Sequence, residues 1–85
     1  MAYLVRVTGI VQGVCFRAAT VDTASSLDVQ GYVRNLSDGS VEVFVQGPDA
    51  KKLIDFCRVG PSGARVDTIE IKEVEDQDLT QFEVR

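Results

Sequence analysis

Along this chain the spacing of apolar residues switches from every second position to a helical period and back, and then does so again. In "YLVRVTG" (3–9), Tyr3, Val5 and Val7 share one face while Arg6 and Thr8 take the other, the pattern of a strand. In "RAATVDTASSLD" (17–28), Ala18, Val21, Ala24 and Leu27 fall on one helical face, softened by the Thr and Ser residues around them. "GYVRNLSDGSVEVFVQG" (31–47) reads as two strands around a turn at Asp38-Gly39, since glycine accepts the positive φ that tight hairpins require. "PDAKKLIDFCRVG" (48–60) sets Ala50, Leu53, Ile54 and Cys57 at i, i+3, i+4 and i+7, with Asp49 as candidate N-cap and Gly60-Pro61 as a stop. "RVDTIEIKEV" (65–74) is a fourth strand, "EDQDLT" a polar connection, and "QFEVR" (81–85) a short fifth strand.

A β-α-β-β-α-β order with one short extra strand permits few architectures. The expected one is an α+β, ferredoxin-like split βαβ sandwich, an antiparallel sheet with two helices on one face. Eighty-five residues support one modest core, so residues 1–85 are expected to form a single domain. The fold hosts many unrelated functions and by itself selects none.

Charge and residue usage narrow the function. A formal charge of −4 disfavours nucleic acid and anionic membranes, which attract basic surfaces. An RNA-recognition sheet of the same topology would want more stacking aromatics than Tyr3, Tyr32, Phe44, Phe82 and the few others provide. No run is as long and apolar as a membrane span. "MAYLVRVTGIVQ" does not read as a signal peptide, with Arg6 inside its apolar run and no small-residue cleavage site after it, so a cytoplasmic protein is expected. Cys15 and Cys57 are too few and too far apart for a disulfide framework. The lack of histidine removes Ser-His and Cys-His nucleophile pairs, imidazole metal sites and the commonest general base. The acidic run "EIKEVEDQD" lacks EF-hand spacing and its glycine, and reads as a solvated edge.

"GIVQGVCFR" (9–17) joins the first strand to the first helix. A helix N-terminus offers unpaired N–H groups and a partial positive charge. A turn containing Gly13 can point successive amides inward as an anion nest. Arg17 adds a planar fork that matches two phosphate oxygens. Together these describe a phosphate cradle; spacing alone describes a plain βα turn equally well. Neither the Walker loop nor the G-x-G-x-x-G fingerprint fits.

The letters themselves go further. "GIVQGVCFR", followed by "GYVRNLSDGSVEV", resembles the signature pair of the acylphosphatase family, and "GPSGARVDTIEI" and the closing "FEVR" are similar to that family too. The resemblance spans essentially the whole chain. It implies a ferredoxin-like hydrolase that cleaves the carboxyl-phosphate bond of acyl phosphates by in-line attack of water, with neither metal nor cofactor. It implies that the backbone of Gln12, Gly13, Val14, Cys15, Phe16 and Arg17 forms the phosphate loop, that Arg17 is the catalytic arginine, and that Asn35 orients the water. The partner so implied is a small acyl phosphate, with inorganic phosphate or sulfate able to occupy the site, and the chain is expected to be a monomer. Asp28 stands where relatives often carry glycine after the first helix, which puts that helix's C-cap in question. The alternative is a non-catalytic ferredoxin-like module that binds an anion or a partner.

Such a reaction suits a chain without histidine. The leaving group is a carboxylate that needs little protonation, and phosphoryl transfer rests on positioning and charge stabilisation. Cys15, near a helix start and Arg17, invites a thiolate nucleophile. Phosphocysteine enzymes place the arginine further along the loop, so Cys15 is expected to fill the loop's inner side. Cys57 is expected in the core, the Gln12 side chain in water, and Arg34 and Arg65 as solvent-facing cations that would at most widen the positive zone. Without the resemblance, Asn35 reads as a hairpin-flanking residue, and "Asn35-Leu36-Ser37" is a chance glycosylation pattern. The carboxylate of Arg85, if near the cradle, would pair with Arg17.

Overall fold

A computed structural model describes residues 1–85 as β1 (Ala2–Ile10), α1 (Phe16–Ala24), β2 (Gln30–Asn35), β3 (Val41–Gln46), α2 (Ala50–Val59), β4 (Arg65–Val74) and β5 (Phe82–Val84). The strands form one sheet in the order β4-β1-β3-β2-β5. Val5 and Val7 of β1, Val33 of β2, and Val41, Val43 and Val45 of β3 share a buried cluster with Phe16 and Ala24 of α1 and Leu53, Ile54 and Cys57 of α2. Both helices therefore cover the same face, as the ferredoxin-like reading expects.

Four strands pair antiparallel, but β5 runs parallel to β2, with Val84 opposite Val33, so the sheet is mixed. The direction follows from the path: a chain that leaves β4 at one edge and doubles back arrives antiparallel to β4, which is the sense of β2. Gln46 holds the returning segment, donating from Nε2 to the Gln77 carbonyl at 2.8 Å and accepting from the Gln77 N–H at 2.7 Å.

The expected apolar face of α2 is buried in full at Ala50, Leu53, Ile54 and Cys57, and the helix stops at Gly60. Burial pushes the Cys57 thiol up to about 12. Asp49 occupies the N-cap position but makes no side-chain cap; its carboxylate instead accepts from the Asp28 N–H at 2.9 Å.

The first helix departs from the sequence reading. It is shorter than residues 17–28, and its buried face is Phe16, Thr20 and Ala24, while Ala18 is exposed and Val21 and Leu27 are half-buried against the core. Phe16 sets the phase because its ring is 1% exposed. Thr20 can follow it inside because its Oγ1 donates to the Phe16 carbonyl at 2.8 Å, which satisfies the hydroxyl. The helix winds down through bonds from Ser26 to Thr23 and Leu27 to Ala24. Asp28 is not in the left-handed region, so the C-cap does not need the glycine that relatives often carry there.

Candidate active site

The segment from Val11 to Cys15 is pinned at both ends. Val11 and Phe16 are each 1% exposed, and the Phe16 ring lies 6.4 Å from Phe56 of α2. Between these anchors the backbone enters the left-handed region twice, at Gly13 (φ 76°) and Cys15 (φ 63°, ψ 25°). Cys15 is the one non-glycine residue of the chain with positive φ, a conformation costing roughly 1–2 kcal/mol. Alternation of this kind turns successive N–H groups to one side. None of the backbone N–H groups from Val11 to Ala18 has a protein acceptor; the first bond of α1 runs from Ala19 to Cys15. Cys15 makes no side-chain cap and the first turn carries no acid, so the positive end of α1 is left uncompensated.

Arg17 sits in that first turn, exposed. The chain has six arginines, and five of them lie within 4 Å of a carboxylate. Arg17 is the exception. The expected pairing with the carboxylate of Arg85 does not occur: the Arg85 guanidinium reaches Glu83 and lies 4.5 Å over the Tyr32 ring, the sheet neighbour of Glu83 on β5. Arg34 and Arg65 are likewise neutralised, by Glu42 and Asp67, and so do not widen the positive zone.

Asn35 ends β2 opposite Val41, on the sheet face that carries the core. Its Oδ1 is the one buried side-chain N or O atom of the protein without a hydrogen-bond partner. Such an atom is costly to leave unpaired, by about 1–3 kcal/mol. Gly13, Cys15, Phe16, Arg17 and Asn35 line a single open cleft of about 480 Å³, with Val84 of β5 on its wall.

Two of the expected loop residues do not line it. Val14 is half-buried against the core, and with Phe16 takes the inner side of the loop; Cys15 between them is exposed to the cleft instead of filling that inner side. The Gln12 side chain does not face water. Its Nε2 donates to the carbonyls of Leu36 and Ser40 at 2.8 and 2.9 Å, a tie across 24 and 28 residues that no local pattern announces. Val84 was also invisible as a wall residue, because its place depends on the direction of β5.

A sheet of this order, with both helices on one face and an open cleft where β1 meets α1, defines an α+β protein of the ferredoxin-like class. Comparison with known proteins narrows it: the Acylphosphatase family pattern matches residues 3–84, and the chain belongs to that family. It is 46% identical over 78 residues to the acylphosphatase of Shewanella amazonensis, covering 89% of this chain and 86% of that one. It is 49% identical over 80 residues to the acylphosphatase of Gloeobacter violaceus, covering 92% and 86%. The crystal structure of acylphosphatase from Bacillus subtilis superposes with a TM-score of 0.92 at 28% identity, covering 99% of this chain and 97% of that one.

Proposed function

We propose a specific division of labour by which this acyl phosphate hydrolase works. The phosphoryl group of a small acyl phosphate sits in the nest, its oxygens accepting from the free N–H groups of residues 13–17 and from the Arg17 guanidinium. Asn35 Oδ1 accepts a hydrogen bond from a water and aims its lone pair at phosphorus, in line with the acyl oxygen. The new P–O bond forms as the P–O bond to the carboxylate breaks. Written as RCOOPO₃²⁻ + H₂O → RCOO⁻ + H₂PO₄⁻, the step keeps both water protons on the phosphate product, so no protein group gains or loses one. Neither metal nor cofactor is required.

One observation carries this reading: the lone unpartnered buried acceptor of the protein, Asn35 Oδ1, lines the same cleft as its lone unpaired arginine. In this reading residues 1–85 act as one acylphosphatase-like domain, monomeric and cytoplasmic, and inorganic phosphate or sulfate competes for the nest. Two free cysteines accord with a reducing compartment. No helix is long and apolar enough to cross a membrane.

Benzoyl phosphate, mixed with the protein in EDTA, tests it. Turnover is expected to survive the chelator. Asn35→Ala is expected to lose roughly 10²–10³ in kcat, by analogy with removal of one oxyanion donor, while phosphate still binds. A variant that loses phosphate affinity and kcat together would overturn the role given to Asn35.

A further inference from the structure

We propose that the Gln12 side chain is a positioning residue, fixing the strand end that bears Asn35 against the phosphate loop. The inference rests on the role of Asn35 just described and deepens it. Residues Leu36 to Ser40 close the β2–β3 hairpin, with the Leu36 N–H donating to the Ser40 carbonyl at 2.8 Å and the Gly39 N–H to the Leu36 carbonyl at 3.2 Å. Both carbonyls of this closure are the ones Gln12 grips, at 2.8 and 2.9 Å. A primary amide has two N–H donors on one nitrogen, and here each has its own acceptor. Gln12 immediately precedes Gly13, the first left-handed residue of the nest, and Leu36 immediately follows Asn35.

The two halves of the cleft arrive from separate elements, the nest from the β1–α1 loop and Asn35 from the end of β2. No other side chain of the loop hydrogen-bonds the hairpin. In-line attack needs the water placed to a fraction of an ångström relative to the phosphoryl group, so a tie between the halves acts on turnover more than on phosphate affinity. The Gln12 side chain touches neither reactant; it acts through Asn35.

Gln12→Met keeps length and removes both donors, and Gln12→Glu keeps shape but replaces them with acceptors that repel the two carbonyls while ionised. For Gln12→Met we expect kcat on benzoyl phosphate to fall roughly tenfold, with the competitive inhibition constant of inorganic phosphate changed less than about threefold. On an Asn35→Ala background the same substitution should change kcat less than about twofold, because the group it acts through is gone. For Gln12→Glu, kcat should recover relative to wild type as pH falls, since the protonated carboxyl regains one donor, while Gln12→Met shows no such recovery. Equal kcat losses in both backgrounds, a loss confined to phosphate affinity, or no loss at all would overturn the inference. If Asn35→Ala alone leaves kcat intact, the reading of Asn35 fails and takes this inference with it, an outcome visible before Gln12 is altered. The Gln12→Glu pH profile keeps the test decisive should Gln12→Met fold poorly.

Discussion

The first turn of α2 uses its backbone for the fold: the N–H groups of Ala50 and Lys52 find carbonyls at Gly47 and Asp49, and the Asp49 carboxylate stands beside them, drawn to Lys52. The first turn of α1 does none of this. The N–H groups of Phe16, Arg17 and Ala18 have no acceptors, its N-cap residue is left-handed and makes no cap, and its one cation is unpaired. The two helices pack side by side on one sheet, so the difference is not one of burial. It separates a helix start that holds the structure from one that is held by it and whose donors stay unpaired, the end to which the proposed function assigns the phosphoryl group. The stabilisation that α1 forgoes at its end comes from Phe16 and Val11, anchored on either side.

That contrast can be attacked at both ends. Arg17→Ala should have the largest effect: loss of the charged partner of a dianion costs on the order of 2–5 kcal/mol, so phosphate binding should fall by at least about thirtyfold while the urea midpoint hardly moves. Leu53→Ala, in the buried stripe of α2, should do the reverse. Equilibrium unfolding is expected to show a loss of about 2–5 kcal/mol, with kcat per folded molecule unchanged.

The two thiols extend the comparison. Cys57 under α2 is held protonated up to about 12 against an ordinary 9.0. The unfolded chain therefore loses this proton first, and stability that is whole below pH 9 declines as pH rises towards 12. Between pH 8 and 10 the decline from this group should be on the order of 1 kcal/mol, and Cys57→Ala should remove that part of the slope in urea titrations. Cys15, exposed at the start of α1, should be the one thiol that reacts with a disulfide reagent before unfolding.

The smallest expected effect is the most discriminating. Ala18→Asp would put a carboxylate in the first turn of α1, and Lys51→Glu would put one in the first turn of α2. Each should favour its helix by about 0.3–1 kcal/mol through the dipole. Only Ala18→Asp should weaken phosphate binding, by roughly fivefold, because only there is the positive end exposed to the ligand. Equal phosphate affinities in the two variants would erase the distinction between the helices.

How far the sequence reveals this depends on range. The periodicity of α2 and the Asp38-Gly39 turn are local, and both read correctly. The expected face of α1 holds at Ala24, and in part at Val21 and Leu27, but not at Ala18; it omits Phe16 and Thr20, because Thr20 looks like a surface residue until its bond to the Phe16 carbonyl is seen. The direction of β5 depends on where the chain has to return, which no residue in "QFEVR" states. Within the site, Gly13 and Arg17 stand out by their own identity and Asn35 only through the family resemblance, and the fold brings all three to one cleft. Cys15 was named but misplaced, since nothing in a cysteine announces a left-handed backbone, and the Gln12 tie joins residues whose nearness only the folded sheet creates.

The most direct measurement is a titration of the ¹⁵N-labelled protein with inorganic phosphate, followed at every backbone amide. The account predicts saturable shifts concentrated at Gly13 to Arg17 and at the Asn35 side-chain amide, with the first turn of α2 silent. Shifts spread over both helix starts, or none at residues 13–17, would contradict it.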